Sequence, residues 1–468
     1  MAQDDFAYLS AVELAAAIRM KKLSPREVMQ KLLDRIGQLN PQLNAFVTLP
    51  AEEALCAADR AEKAVMNGER LGPLHGVPLH VKDNLYVAGS RTTFGSKLMD
   101  QNITTEDCPA VKRLRAAGMI VMGRTNTPEF GWKGVTDNRV FGITRNPWNT
   151  KLTPGGSSGG AAAAVATGLG PIGVGTDGGG SLRIPASFCG VFGFKASFGR
   201  VPNWPGSGGA ILRHIGTITR TVADMAASLD AMAGPDPGDL LSLPRNSVSF
   251  SAEFENGIRG KRIAYCPDLG YATVEPEVAA ICQQAAKRFA EAGAIVDEIK
   301  LDWRDPYPAW SVFFFGTAAA SVEKKLPTQG ELLDPGFKRV VERGLQLRGV
   351  DFANALAARH EFWEQVRKVY ERFDLLLSPT LAVPPFPVGQ DDADSLNGEQ
   401  LDALQWTRFT YPFNLTGQPA ASVPAGWTKS GLPVGLQIIG DRFADLLVLQ
   451  ASRAFEQVQP WTQQRPKI

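Results

Sequence analysis

Apolar and polar residues alternate along this chain with two different periods, and the first long pattern is helical. Ser10 is followed three residues later by Glu13 at the head of an amphipathic stretch, and SPRE at 24–27 repeats this arrangement. A serine that caps a helix and a glutamate that bonds back to it form a capping box, and proline suits the first helical position. The pattern therefore predicts a helical N-terminal part, from about residue 8 to residue 66.

Strand-like and helix-like stretches then follow each other along the chain. GVPLHVKDN (76–84) and MIVMGRTN (119–126) have the apolar runs typical of strands, and PAVKRLRAAG (109–118) has a helical period. RIAYCPDLGY (262–271) and EPEVAAICQQAAKRFAEAG (275–293) repeat the order of strand and helix. This alternation predicts the α/β class.

Two stretches rich in turn-forming residues interrupt the alternation, near 232–257 and near 384–400, and both are expected to be surface loops. The alternation resumes after the first of them. The sequence therefore predicts one extended α/β domain over 1–468 rather than two separable domains.

A segment rich in glycine, alanine and serine, PGGSSGGAAAAVATGLGPIGVGTDGGGSLR, occupies 154–183. A serine before its alanine-rich run and a glycine after it predict a short helix over 159–167. PIGVGT (171–176) predicts a buried strand. The following DGGGS (177–181) predicts a tight loop that exposes backbone N–H groups beside a serine.

Three interpretations of this loop are open from the residues alone. It is an oxyanion hole with Ser181 as nucleophile, a phosphate cradle of a nucleotide-binding module, or a glycine turn without function. The Walker pattern is absent, which weakens the second interpretation. GSSGG also matches G-x-S-x-G and would make Ser158 the nucleophile, but the preceding WNTKLTPG (148–155) is too polar for the required strand. Neither His214 nor His360 has a spacing that supports a Ser-His triad.

The composition mainly excludes classes of partner, location and metal site. The 49 basic and 48 acidic residues give no electrostatic reason to expect a nucleic acid or membrane partner. MAQDDFAYLS lacks a signal-peptide pattern, and no run of about 18 apolar residues follows, so a cytoplasmic protein is expected. The five cysteines have no C-x-x-C spacing and the four histidines no i, i+4 pair. Buried free thiols are expected, with no metal and no cofactor.

Several motifs together resemble a known family. They are, in chain order, GVPLHVKDN (76–84), RTNTPEFGW (124–132), TPGGSSGGAAAAVATG (153–168), GTDGGGSLRIPASFCGVFGFKASFGRV (175–201), DLLLSPTLAVP (374–384) and PFNLTGQPAASVPAGWTKSGLPVGLQIIG (412–440). This ordered set resembles the amidase signature family. The resemblance implies an α/β/α sandwich around a mostly parallel, mixed β-sheet. It also implies an amidase that hydrolyses linear C–N bonds other than peptide bonds.

The resemblance further implies a Ser-cisSer-Lys triad. Lys82 of VKDN matches the base, Ser157 of GGSSGG the bridging serine and Ser181 of TDGGGS the nucleophile. In the family the peptide bond before the bridging serine is cis, here Gly156–Ser157. A lysine replaces the missing histidine if it is neutral, and burial with nearby positive potential lowers its pKa. A hydroxyl donates and accepts, so Ser157 can relay a proton from Ser181 to Lys82.

Other residues near the triad are expected to support it. The backbone N–H groups expected in the oxyanion hole are those of Gly178, Gly179, Gly180 and Ser181. Asp177 and Arg183 are expected to form a buried ion pair that holds the loop, and Ser158 to support the relay by hydrogen bonding. No chemical step is expected from these three residues.

The substrate is predicted only as a class. Candidate pocket residues are Trp132, Phe141, Trp204 and the aromatic run 313–315, together with a proline-rich rim at 380–400. An aromatic pocket favours apolar or aryl amides, and esters and carbamates (urethanes) share the reacting carbonyl.

One alternative is the glutaminase subunit of a tRNA-dependent amidotransferase. Where that subunit continues SSLDQIGP, this chain has GAILRHIGTI (209–218), which lacks the acidic residue and favours a stand-alone amidase. The nucleotide-binding module is the alternative from another class. The oligomeric state is left open, with a homodimer as one option.

Overall fold

The computed structural model describes residues 6–205, 211–393 and 404–468, together with 395–396 and 399–400. The helices are α1 (Ala11–Arg19), α2 (Pro25–Leu43), α3 (Ala51–Met66), α4 (Pro109–Ala116), α5 (Gly159–Ala166), α6 (Arg183–Cys189), α7 (Val222–Met232), α8 (Phe250–Glu253), α9 (Pro276–Lys287), α10 (Tyr307–Val322), α11 (Leu326–Gln329), α12 (Pro335–Leu345), α13 (Gly349–Tyr370), α14 (Pro412–Leu415) and α15 (Asp445–Val458). The strands are β1 (Phe46–Thr48), β2 (Pro78–Lys82), β3 (Ile120–Thr125), β4 (Asp137–Asn138), β5 (Gly142–Ile143), β6 (Ile172–Asp177), β7 (Phe192–Lys195), β8 (His214–Thr219), β9 (Arg262–Tyr265), β10 (Ile295–Glu298), β11 (Leu375–Pro379), β12 (Ser395–Leu396), β13 (Glu399–Gln400), β14 (Ala420–Trp427) and β15 (Pro433–Gly440).

Eleven of these strands form one sheet, in the order β1-β3-β2-β6-β8-β7-β14-β15-β11-β9-β10. The strands β3, β2 and β6 are parallel to one another, and so are β11, β9 and β10. The pairs between these two groups are antiparallel, as is the edge pair β1·β3. The predicted α/β fold with a mixed sheet is confirmed, and its parallel pairing is confined to the two groups.

Both N-terminal helices begin where the capping pattern predicts. The Ser10 hydroxyl accepts from the N–H of Glu13 at 3.1 Å, and the Glu13 carboxylate accepts from the N–H of Ser10 at 2.8 Å. Ser24 caps α2 by accepting from the N–H of Glu27 at 3.2 Å. The helices α1, α2 and α3 fill most of the chain up to Met66, with the edge strand β1 between the last two.

The sheet separates two apolar cores. Because successive strand residues point to opposite faces, Leu375 and Leu377 of β11 enter one core and Leu376 enters the other. The first core includes residues of α1, α2, α3, α4, α7, α9 and α15, and the second those of α6, α10, α13 and α14. Helices therefore cover both faces, which is the layered arrangement that the family resemblance implies.

The register of the parallel strands β2 and β6 places two predicted site segments side by side. Leu79 of β2 is paired with Ile172 of β6, and Val81 with Val174. Since parallel strands end at the same edge, Lys82 at the end of β2 lies beside the end of β6.

Parts of the predicted loops lie outside the described residues. The stretch near 232–257 contains only the short helix α8 after α7 ends, and the stretch near 384–400 contains β12 and β13. Residues 394, 397 and 398 of the second loop lie outside the described residues, as do Gly209 and Ala210 of GAILRHIGTI.

The cysteine prediction needs one correction. All five cysteines are free and four are buried, but Cys56 is exposed. It lies on α3, whose buried residues include Ala54, Ala58 and Ala61, so its position falls on the outward face of that helix. Within the described chain no group of His, Cys, Asp or Glu is arranged to hold a metal ion. None of the described helices has the length and apolar character needed to cross a bilayer.

Candidate active site

A cavity of about 760 Å³ lies at the edge where β2 and β6 end. Ser157, Thr176 and Ser181 line it, together with Gly178 and Gly179 of the glycine loop. Most of its remaining wall is apolar. The cavity therefore brings both predicted serines of the triad to one space.

Lys82 lies behind this wall and is fully buried. Its Nζ is 2.6 Å from Ser157 Oγ, 3.0 Å from Ser158 Oγ and 3.0 Å from Thr176 Oγ1. No carboxylate of the described residues forms an ion pair with it. Its polar neighbours are hydroxyls, which do not compensate a buried positive charge as a carboxylate does.

Burial lowers the pKa of Lys82 well below its usual value, and the nearby Arg213 lowers it further, against a smaller opposing effect of Asp177. A lysine in this environment is neutral over a wider pH range than an exposed one. A neutral amine carries two protons and one lone pair, so it can donate twice and accept once.

The other hydrogen bonds of the three hydroxyls indicate which of them can donate a proton to the lone pair of Lys82 Nζ. Ser158 Oγ donates to the carbonyl oxygen of Thr176 at 3.2 Å, so it accepts from Lys82. Thr176 Oγ1 already accepts from the amide of Asn84 at 3.2 Å. Ser157 Oγ has Lys82 as its only hydrogen-bond partner among the described residues. The protons of the Ser157 and Thr176 hydroxyls therefore both stay available for the Lys82 lone pair, and Ser157 is the nearer of the two at 2.6 Å.

Ser157 and Ser158 immediately precede α5, and the Gly156–Ser157 peptide bond is cis. The side chain of Ser158 makes no capping bond to the helix, since it is used on Lys82 and Thr176. The N–H of Ser158 donates to the carbonyl oxygen of Ser181 at 3.3 Å. This bond connects the serine pair to the far end of the glycine loop.

The glycine loop is wrapped around the carboxylate of Asp177. Its Oδ1 accepts from the N–H of Gly180 at 2.8 Å, and its Oδ2 from the N–H of Leu182 at 3.2 Å. Arg183 binds both oxygens, through Nη2 at 2.9 Å and Nε at 3.0 Å, and both side chains are fully buried. Burial raises the pKa of Asp177, but Arg183, Lys195 and Asn414 together outweigh burial and hold this pKa below the usual range. The carboxylate stays charged and keeps its N–H partners.

All four peptide units between Asp177 and Ser181 turn their carbonyl groups toward protein donors, and the carbonyl of Gly179 accepts from Thr410 Oγ1 at 2.6 Å. The carbonyl of Asp177 accepts from Asn414 at 2.9 Å, that of Gly178 from the Trp310 indole at 3.0 Å and that of Gly180 from the N–H of Ile184 at 2.7 Å. In a trans peptide the N–H points away from the carbonyl. The N–H groups on the opposite sides, which have no partner among the described residues, are those of Gly178, Gly179 and Ser181.

The N–H of Gly180 is therefore no longer expected to be an oxyanion donor, and the N–H groups of Gly178, Gly179 and Ser181 stay the expected ones. The N–H of Gly180 is occupied by Asp177, and Gly180 does not line the cavity, whereas Gly178, Gly179 and Ser181 do. The difference arises because the loop needs one N–H to anchor itself on the carboxylate.

Steric space also distinguishes the three glycines. A Cβ at Gly180, where φ is +133°, would lie 2.4 Å from Thr410 Oγ1, and one at Gly179 would lie 2.7 Å from the Trp310 ring. A Cβ at Gly178 would meet no atom within 4 Å. Only the last two glycines of the triplet are required by packing.

Comparison with known proteins gives a consistent result. The Amidase family model matches residues 27–449 of the chain. The acylamidase of Rhodococcus erythropolis is 41% identical over 479 residues, covering 100% of this chain and 98% of that protein. A glutamyl-tRNA(Gln) amidotransferase subunit of Moorella thermoacetica is 35% identical, covering 98% of this chain and 99% of that protein. The crystal structure of a bacterial aryl acylamidase, described as an amidase signature enzyme, superimposes with a TM-score of 0.92 at 35% identity, covering 97% of both chains.

The chain belongs to the amidase signature family. This membership confirms the family resemblance of the motifs and identifies the protein as an amidase hydrolase.

Only some of the aromatic residues predicted to line the pocket of this amidase do line the cavity. Trp132, Phe313 and Phe314 line the cavity, but Phe315 packs against α12 instead. Phe141 lies under the Arg91 guanidinium, and Trp204 packs against Gly238. The proline-rich rim packs partly inward through Phe386, which contacts Phe188 and Trp406. The aromatic lining residues that sequence reasoning missed are Tyr86, Phe94, Phe130 and Phe337.

Sequence reasoning also missed polar groups that organise the site. Thr176 lies in the TDGGGS motif and Asn84 in the VKDN motif, so their motif positions could have indicated that they belong to the site. Trp310 and Asn414 come from α10 and α14, far along the chain, and no pattern connects them to the loop. Arg213 lines the cavity and had no signal beyond its charge.

Both histidines considered for a triad lie away from the serines. His214 is buried, with Nδ1 2.9 Å from the carbonyl oxygen of Leu212 and Nε2 3.4 Å from Lys195 Nζ. His360 is exposed and lines a separate cavity of about 220 Å³. Neither contacts Ser157, Ser158 or Ser181 among the hydrogen bonds of the described residues.

Proposed function

We propose that this amidase is a serine hydrolase in which Ser181 is the nucleophile, Ser157 the proton relay and Lys82 the base. The observation that carries the proposal is the 2.6 Å contact between a fully buried Lys82 Nζ and Ser157 Oγ, in the wall of a cavity that also holds Ser181. A buried lysine without a carboxylate partner is suited to accept a proton.

The proposed reaction has two steps. Ser181 Oγ attacks the carbonyl carbon, its proton moves to Ser157, and the proton of Ser157 moves to Lys82 Nζ. The negative charge on the carbonyl oxygen is stabilised by the N–H groups of Gly178, Gly179 and Ser181. The C–N bond then breaks as the leaving amine takes a proton back through Ser157. Water next attacks the acyl-enzyme with the same relay, which releases the acid and free Ser181.

The substrates are proposed to be small apolar or aryl amides, with esters and carbamates as further substrates. Support comes from the aromatic lining of the cavity and from two relatives described as an acylamidase and an aryl acylamidase. Apolar surface buried in such a cavity contributes about 25 cal/mol per Å². Esters and carbamates present the same carbonyl to Ser181, so they require no additional catalytic group.

A fluorophosphonate probe tests the serine mechanism. The wild-type enzyme should be labelled, and Ser181→Ala should lose the label while Ser158→Ala keeps it. Labelling that persists in Ser181→Ala would contradict the assignment of the nucleophile. A panel of anilides, esters and carbamates offered to the purified chain then determines which carbonyl class it accepts.

A glutaminase subunit is the second candidate, because the Moorella thermoacetica relative belongs to a glutamyl-tRNA(Gln) amidotransferase. The absence of the acidic residue in the 209–218 stretch favours the stand-alone enzyme. Glutamine included in the same panel distinguishes the two, since a stand-alone aryl amidase should prefer anilides. The cytoplasmic location, the single domain and the oligomeric state stay predictions.

A further inference from the structure

Arg213 is a cation in the wall of the active-site cavity. It is partly buried and precedes His214, the residue of β8 paired with Asp177 of β6. Arg213 therefore lies beside the start of the glycine loop, and it lines the same cavity as the proposed nucleophile. Its Nη2 donates to the carbonyl oxygen of Asn84 at 3.2 Å.

The guanidinium of Arg213 has no carboxylate partner among the described residues. Three of the four arginines that are buried in the described residues pair with a carboxylate: Arg183 with Asp177 at 2.9 Å, Arg200 with Asp445 at 3.2 Å and Arg124 with Asp83 at 3.5 Å. The fourth, Arg220, donates to the carbonyl oxygen of Tyr8. A guanidinium removed from water is costly unless an anion accepts its hydrogen bonds. Arg213 differs from these three because it faces a cavity.

The rest of the cavity wall does not supply the missing anion. No Asp or Glu occurs among the described residues that line it. The second cation of the wall, Lys325, has its Nζ 3.3 Å from the sulfur of Met99. The cavity is therefore apolar and electropositive, with most of the donors of one planar guanidinium unused.

We propose that Arg213 binds a carboxylate of the substrate, so that the preferred amides carry an acid group near the scissile bond in addition to an apolar or aryl body. A carboxylate fits because the guanidinium offers paired N–H donors and a single positive charge, which match the two oxygens and the single negative charge of a carboxylate. The inference rests on the proposed hydrolase function and narrows its substrate class.

A competing role is that Arg213 acts only through its charge on Lys82. In that case its removal would slow every substrate equally. Substrate pairs of matched shape separate the two roles. Succinic acid monoanilide is compared with isocaproic anilide for the acyl side, and meta-acetamidobenzoate with meta-nitroacetanilide for the amine side. Each kcat/KM is taken on the plateau of its pH profile.

For each pair, the preference is the kcat/KM of the charged substrate divided by that of the neutral one. Arg213→Met should lower this preference by at least about tenfold in one of the two pairs. Arg359→Met is the matched control, because Arg359 also has no carboxylate partner among the described residues but lines the separate cavity beside His360. It should leave both ratios unchanged. Arg213→Lys keeps a charge without the planar fork and should lose part of the preference.

An equal decrease for both members of each pair would overturn the inference and leave the hydrolase intact. The same holds if fluorophosphonate labels Ser181 but neither charged substrate is hydrolysed. Absence of both labelling and hydrolysis of all four substrates would instead contradict the proposed function. If Arg213→Met does not fold, protection of the wild-type enzyme from labelling by each charged substrate, compared with its neutral partner, gives the same discrimination.

Discussion

Lys82 and Lys195 are both fully buried, and burial lowers the pKa of each well below its usual value. Their neighbours differ. Lys82 contacts three hydroxyls, and two of them, Ser157 and Thr176, have a proton that no other described group accepts. Lys195 contacts the carbonyl oxygen of Gln418 and the ring of His214.

The two sites show that a lowered pKa does not by itself make a lysine a base. A carbonyl oxygen only accepts, and the Nδ1 of His214 lies beside the Leu212 carbonyl, which leaves Nε2 to accept from Lys195. Lys195 therefore donates to both partners, and neither His214 nor Gln418 lines the cavity. What distinguishes Lys82 is a hydroxyl neighbour that reaches the substrate space.

Lys82→Met and Lys195→Met test this comparison with the largest expected effect. Loss of the base should lower kcat/KM for an anilide by about 10²–10⁴-fold. Lys195→Met should lower thermal stability but keep kcat/KM within about tenfold per folded molecule. Circular dichroism melts and active-site titration provide the normalisation. Equal losses of activity in the two variants would remove the proposed distinction.

Gly180→Ala and Gly178→Ala test the loop that Asp177 holds. A Cβ at Gly180 would displace the loop from Thr410, so kcat should fall about 10²–10³-fold, as for loss of an oxyanion donor. Gly178 has open space for a Cβ, so its variant should keep kcat within about fivefold. Similar losses in both would indicate that flexibility, not packing, explains the glycines.

Ser158→Ala tests the second hydroxyl at Lys82. It removes one acceptor of the lysine without removing the relay, so kcat/KM should fall about tenfold. Ser452→Ala is the control, a buried serine of α15 whose hydroxyl donates to the Val448 carbonyl at 2.7 Å. Its activity should be unchanged. A loss in Ser158→Ala as large as that in Ser157→Ala would assign the relay to both serines.

The pH profile gives the smallest expected effect. Because Lys82 must be neutral to act as a base, kcat/KM should fall as the pH drops through its lowered pKa. Arg213 contributes to that lowering, so Arg213→Met should raise the pKa and move the acidic limb to higher pH by about one unit or less. Arg359→Met should leave the limb in place. Movement to lower pH would contradict the sign of this interaction.

Local signals predicted much of the fold and of the site. The serine caps of α1 and α2, the apolar run of β2 and the alanine-rich α5 follow from interactions between residues a few positions apart. The family motifs indicated Lys82, Ser157 and Ser181, and the structure brings the first two into contact and both serines to one cavity. Of the four expected oxyanion donors, the N–H of Gly180 is bonded to Asp177 instead, because its peptide orientation is set by the folded loop.

Capping, periodicity and glycine spacing act over short stretches of chain, so the elements and motifs could be predicted from the residues alone. Three features became visible only in the folded chain: which aromatic residues line the cavity, the contacts of Trp310 and Asn414 with the glycine loop, and the position of Arg213 at the cavity without a carboxylate partner among the described residues. These features depend on which distant side chains the sheet register and the covering helices bring together. The partners and the solvation of a buried group, and therefore its chemistry, follow from that packing.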